Sequence, residues 1–91
     1  MLPNPDYFHF GKTGIHYGLY GGLDYSGGVE GGKITGDNDP PPVDAYDKLF
    51  YAHDRDLQEA TTTEDRLEAH ANVVAGVYGL LTGTSPDWHI F

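Results

Sequence analysis

His53 and Asp54 are neighbours in a segment where Tyr46, Phe50, His53, Leu57 and Ala60 recur at helical spacing. An imidazole with an ordinary pKa of about 6.5 is neutral at physiological pH and can take a proton from water. A carboxylate beside it can serve a hard cation. The dipeptide alone carries no weight, since a lone histidine on an amphipathic helix is commonly a core residue satisfied by a backbone carbonyl. The run Pro42-Val43-Asp44-Ala45-Tyr46-Asp47-Lys48-Leu49-Phe50-Tyr51-Ala52-His53-Asp54 carries more. Aspartates stand second and fifth after a proline, and an apolar pair precedes the His-Asp. Upstream, His16-Tyr17-Gly18-Leu19-Tyr20-Gly21-Gly22-Leu23-Asp24-Tyr25 is rich in glycine, which lets several carbonyls turn towards one point.

Other chemistries find no support. His9, His16 and His89 have no metal-ligand spacing to one another, and there is no His-Glu-x-x-His. Asp37-Asn38-Asp39 lacks the alternation of an EF-hand loop. Neither a serine elbow nor a phosphate-binding glycine motif is present.

The elements that must position these residues are legible in outline. Residues 1 to 16 are an aromatic, proline-punctuated lead without helical period. Glycine dominates from Tyr17 to Pro42, where three consecutive prolines end any regular element. By composition alone that stretch is a flexible loop. Asp44 can cap a first helix over about 44–59. Thr61-Thr62-Thr63 makes a short turn and a capping cluster, with Glu64 and Asp65 entering the next first turn. A second helix spans about 63–82, with Leu67, His70, Val74, Val77 and Leu81 as the seam expected to face the first. Gly83 and Pro86 stop it. Trp88 and Phe91 are expected to dock on the helices.

The run from Pro42 to Asp54 resembles the active-site helix of secreted phospholipase A2 enzymes, with Leu49 and Phe50 in the slots of two family cysteines. Tyr17 to Gly22 resembles that family's calcium loop, and the likeness covers roughly residues 17–82. The resemblance implies a calcium ion held by the carbonyls of Tyr20, Gly22 and Asp24 and the carboxylate of Asp54, with Asp24 departing from the family's glycine. It implies His53 as general base and the Gly22 amide as an oxyanion donor, while Asp47 ties helix to loop. The family's supporting aspartate on the second helix is missing. Ala69-His70-Ala71-Asn72-Val73-Val74 aligns His70 with its position, and an antiparallel turn near Thr61 and Thr62 also sets residue 69 or 70 opposite His53. His70 is therefore the second catalytic candidate; Glu64, Asp65 and Glu68 are others, and a histidine bonded to a backbone carbonyl is the plain alternative. Leu57 stands where the family commonly has a supporting tyrosine, and its amphipathic N-terminal helix is absent.

The expected fold is a single, mainly α domain over 1–91: two antiparallel helices, a glycine-rich calcium loop over about 17–28 and no disulfides, since there is no cysteine. A chain this short buries a modest core, and a bound cation is an available staple. Fourteen acidic residues against five basic ones give a net charge of -9. That balance argues against nucleic acid and against anionic lipid, and it suits a divalent cation. The expected partner is a phospholipid membrane or micelle surface, zwitterionic favoured over anionic, met by a monomer. Met1 to Phe10 does not read as a signal peptide, although calcium sites of this kind suit secreted surroundings. The expected activity is hydrolysis of the sn-2 ester of glycerophospholipids. The rivals are a catalytically weak or silent module of the same fold that binds lipid or protein, and a purely structural helical hairpin.

Overall fold

The computed structural model describes residues 1–22 and 25–84. A 3-10 turn at Pro5–Tyr7 leads into β1 (Phe8–Gly11) and β2 (Gly14–Tyr17), then β3 (Tyr25–Ser26) and β4 (Val29–Glu30), then α1 (Ala45–Glu59) and α2 (Thr63–Thr82). The strands form two separate two-stranded antiparallel sheets, β1 with β2 and β3 with β4.

The mainly α expectation is therefore wrong: the chain is mixed, two helices plus two small antiparallel sheets. The physical reason is local. Phe8-His9-Phe10 and Ile15-His16-Tyr17 alternate with the strand period of two, and they pair in register from Phe8–Tyr17 to Gly11–Gly14. In the glycine-rich stretch, Gly27 and Gly28 both sit at positive φ, 65° and 80°, as a two-residue hairpin turn of type I′ requires. What composition reads as flexible loop is thus in part a tight hairpin pairing Tyr25 with Glu30 and Ser26 with Val29.

The helices begin on side-chain caps. The Asp44 carboxylate accepts from the Asp47 amide at 2.7 Å, and the Thr62 hydroxyl accepts from the Asp65 amide at 3.0 Å. Each cap is worth about 1 kcal/mol. The pairs Leu49–Gly76 and His53–His70 set the two helices antiparallel.

The face of α2 turned to α1 differs from the expected seam. Leu67, Val74 and Leu81 are exposed at 61%, 67% and 45%, whereas Ala69 and Leu80 are buried and Val77 is half-buried. The helix is rotated by about one residue, or 100°. Small residues decide this: a Cβ at Gly76 would stand 2.7 Å from Leu49 Cδ2, so glycine there permits the close approach. The core lies between the N-terminal half of α1, the C-terminal half of α2 and the lead, built from Tyr17, Ala45, Tyr46 and Leu80 with Tyr7, Leu49, Phe50 and Val77 around them. No described helix is long and apolar enough to cross a membrane. Trp88 and Phe91, expected to dock, lie outside the described residues.

Candidate active site

The site is hung from Asp47. Its carboxylate is fully buried and accepts from the amides of Tyr20 at 2.8 Å, Leu19 at 3.0 and 3.1 Å, and Val43 at 3.0 Å. One side chain of the first turn of α1 therefore holds both the loop after β2 and the entry to its own helix. Gly18 is placed against it: a Cβ there would fall 2.6 Å from the Asp47 carboxyl carbon, and φ is +58°. A buried carboxylate is tolerable because main-chain donors surround it.

Held this way, the loop divides its carbonyls. Tyr17 and Gly21 exchange two main-chain hydrogen bonds, the Leu19 carbonyl accepts from Gly28, and the Gly18 carbonyl accepts from the Tyr25 hydroxyl. Among the described residues, the carbonyls of Tyr20 and Gly22 accept no hydrogen bond. These are two of the three loop donors that the resemblance implies. The third, Asp24, lies outside the described residues. The Tyr20 ring is buried against Tyr51, and its hydroxyl, pushed up to about 12 chiefly by burial, donates to the Pro40 carbonyl. Gly22 lies over the buried His16 ring, where a Cβ would come within 2.3 Å of Cδ2. His16 in turn stacks on Tyr25 at 3.9 Å, so it serves as a floor to the loop.

Tyr20, Gly22, Phe50, His53, Asp54 and His70 line one cavity of about 350 Å³, completed by Leu57 and Val73. Four of the expected site residues that span the loop and α1 thus meet, together with His70 from α2. Asp54 is pushed up to about 7, first by burial and then by the charge of Asp47, against the lowering effect of a hydrogen bond from Ser26. That bond, Ser26 Oγ to Asp54 Oδ2 at 2.6 Å, was not foreseen. The only signal for it was the Gly27-Gly28 turn, which carries Ser26 into β3.

His53 Nε2 lies 2.9 Å from His70 Nδ1, and His53 Nδ1 stands 3.9 Å from Asp54 Oδ1. The first contact uses one ring nitrogen and leaves the other facing the carboxylate side of the cavity. Burial pushes the His53 pKa down, the His70 charge adds to this, and Asp56 opposes it. His70 itself is exposed, so the pair stands at the cavity rim. The other candidates are engaged elsewhere or point away. Asp65 accepts from the Thr61 amide and hydroxyl at 3.2 Å, and it lines a separate acidic hollow with Asp56, Glu59 and Glu68; Glu64 is exposed.

Among the described residues no group of three or more His, Asp or Glu side chains is placed to hold a metal. A hard cation would instead be held by Asp54 and main-chain carbonyls, a donor set of oxygens alone that suits calcium's tolerance of irregular geometry. The residues present fit that group: Asp54 lines a cavity together with Tyr20 and Gly22, whose carbonyls accept no hydrogen bond among the described residues. Comparison with family models, with curated proteins and with solved structures finds no match to this chain.

Proposed function

We propose that this chain is a calcium-dependent hydrolase that cleaves the sn-2 ester of glycerophospholipids. The observation that carries the reading is the shared cavity, where His53 Nε2 is bound to His70 while Nδ1 faces Asp54, and which Tyr20 and Gly22 of the loop also line. The resemblance of residues 42–54 and 17–22 to the phospholipase A2 family supplies the reaction.

His53 Nδ1 takes a proton from a water molecule as the water oxygen bonds to the ester carbonyl carbon. The carbon–oxygen bond to glycerol then breaks, and the same proton passes to the departing alkoxide. The products are a lysophospholipid and a fatty acid. Gly22 lines the cavity, and its amide is the main-chain donor assigned to the carbonyl oxygen as negative charge builds on it. Asp54, with Tyr20 and Gly22, would hold the ion, which when bound would polarise the ester carbonyl. An apolar groove of about 400 Å³, lined by Val74, Tyr78 and Leu81, shares Phe50 and Val73 with the cavity and offers space for an acyl chain. The reading carries an extracellular setting with it, because such oxygen sites suit calcium-rich surroundings.

The second reading is a module that binds lipid or protein with little or no turnover, favoured by the exposed imidazole where the family has a carboxylate. Release of fatty acid from dispersed phosphatidylcholine, with and without calcium, separates the two. In the active case His53→Gln should keep the fold and calcium binding but cut the rate by about 100-fold or more. A variant retaining a tenth or so of the parent rate removes His53 as the base.

A further inference from the structure

The β1–β2 hairpin turns its apolar side outward. Its register pairs His9 with His16 on one side and Phe10 with Ile15 on the other. The histidine side is the one tied to the protein: the His16 ring is buried, and His9, although exposed, bonds the Tyr25 hydroxyl through Nε2 at 2.9 Å. The other side leaves Phe10 86%, Ile15 61% and Phe8 51% exposed. A hairpin exposed only to water would present the reverse arrangement.

We propose that this face of the hairpin is the surface by which the protein sits on a zwitterionic phospholipid layer, with Phe8, Phe10 and Ile15 entering the headgroup region. The proposal rests on the phospholipase reading for its choice of lipid. Three observations select the occupant. Between Asp6 and Asp24 the chain carries no carboxylate, although it holds fourteen in all, and Lys12 stands at the hairpin tip. Glu30 reaches that tip, but its Oε1 accepts from the Lys12 amide at 2.5 Å. Residues 69–86 are equally free of carboxylates but carry no Lys or Arg, so the hairpin, with Lys12 at its tip, is the apolar part of a strongly acidic molecule that brings a cation to lipid phosphates.

Secondly, the exposed area of the three side chains is roughly 400 Å². That is about half of what one partner contributes to a stable protein interface, so a second copy is poorly served. Aromatic rings at a lipid–water boundary need no such area, because each inserts independently. Thirdly, the hairpin is joined to the site. Phe8 packs edge-on against Tyr17 with ring centres 4.8 Å apart, and Tyr17 packs against Phe50 at 5.9 Å. Phe50 lines both the His53 cavity and the apolar groove.

The test uses the full chain, sucrose-loaded phosphatidylcholine vesicles and a short-chain phosphatidylcholine kept below its micelle concentration. Phe10→Ser should weaken co-sedimentation with the vesicles about tenfold or more. Its melting temperature and its rate on the monomeric lipid should stay at the parent's values. Phe10→Trp should restore vesicle binding, and brominated lipid should quench more of its fluorescence than of the parent's. Leu67→Ser, an exposed apolar residue on α2, should leave vesicle binding unchanged. Unaltered vesicle binding by Phe10→Ser overturns the proposal. So does a Phe10→Ser variant that turns a dimer into a monomer while still binding vesicles, since the occupant is then a second copy. Equal losses on vesicles and on monomers overturn it too, because the hairpin then supports the site and not the contact. If the parent chain hydrolyses no monomeric lipid, the phospholipase reading fails, and the sedimentation results still decide the hairpin by themselves.

Discussion

The His53–His70 contact decides which nitrogen of the base is available. His53 donates through Nε2 when His70 accepts through Nδ1, and this tautomer leaves His53 Nδ1 able to receive a proton. A neutral imidazole orients its partner but stabilises the imidazolium formed during turnover less than a carboxylate does. His70→Ala should therefore slow hydrolysis by about tenfold without abolishing it, whereas His70→Asp should hold or raise the rate. The pH profile separates orientation from mere packing. Burial and His70 push the His53 pKa below its ordinary value, so the parent's acid limb lies below that value. A carboxylate at position 70 favours the charged ring, so in His70→Asp the limb should move to higher pH. An alanine variant with the parent's rate and profile would end the assignment of His70.

At the scale of elements, the rotation of α2 is open to a test on two adjacent leucines. Leu80 is 2% exposed in the core, and Leu81 is 45% exposed on the outer stripe. Leu80→Ala should cost about 2–5 kcal/mol in denaturant unfolding. Leu81→Ala should cost less than about 1 kcal/mol, and the opposite order would restore the seam through Leu67, Val74 and Leu81. That seam misleads because two neighbouring stripes of α2 both satisfy steps of three and four. The stripe that packs contains Ala69 and Gly76, which carry little hydrophobic signal but permit the closest approach. Helix ends were easier to read, because Asp44 and Thr62 announce them by a local capping bond. The meeting of residues 53 and 70 was legible for a related reason: a short turn between antiparallel helices leaves little freedom in register. Strands β3 and β4 were not, since they have two residues each and depend on backbone angles at Gly27 and Gly28, whereas β1 and β2 carry a period-two alternation too short to stand out in an aromatic lead. The bond from Ser26 to Asp54 spans 28 positions and exists only once the β3–β4 hairpin is folded, so the glycine turn is its one trace in the sequence.

For the whole molecule, a small core without disulfides makes the electrostatics of the cavity matter to folding. Asp54 has a folded pKa of about 7 against an ordinary carboxyl value of 3.8, so the native state binds its proton more tightly than the unfolded chain. Stability from this group is therefore full below about pH 4 and is lost as pH rises towards 7. His53 works in the other sense: its lowered pKa costs stability in acid, below its ordinary value. Comparison with Asp54→Asn isolates the carboxyl, because asparagine keeps the shape and does not titrate. Without calcium, the parent's melting temperature should fall relative to the variant's between about pH 4 and 7, by about 10 °C, which corresponds to roughly 2 kcal/mol after allowance for solvent at the cavity mouth. Calcium should reverse this fall, since an ion bound only by the native state stabilises it and Asp54 must release its proton to bind. The calcium-induced rise in melting temperature should consequently grow from pH 5 to pH 8 in the parent and be small at all pH values in Asp54→Asn. Parallel melting curves for the two proteins would show that Asp54 is not the titrating group. A full calcium shift in the variant would move the ion to another set of oxygens, with Asp37 and Asp39 the next to replace.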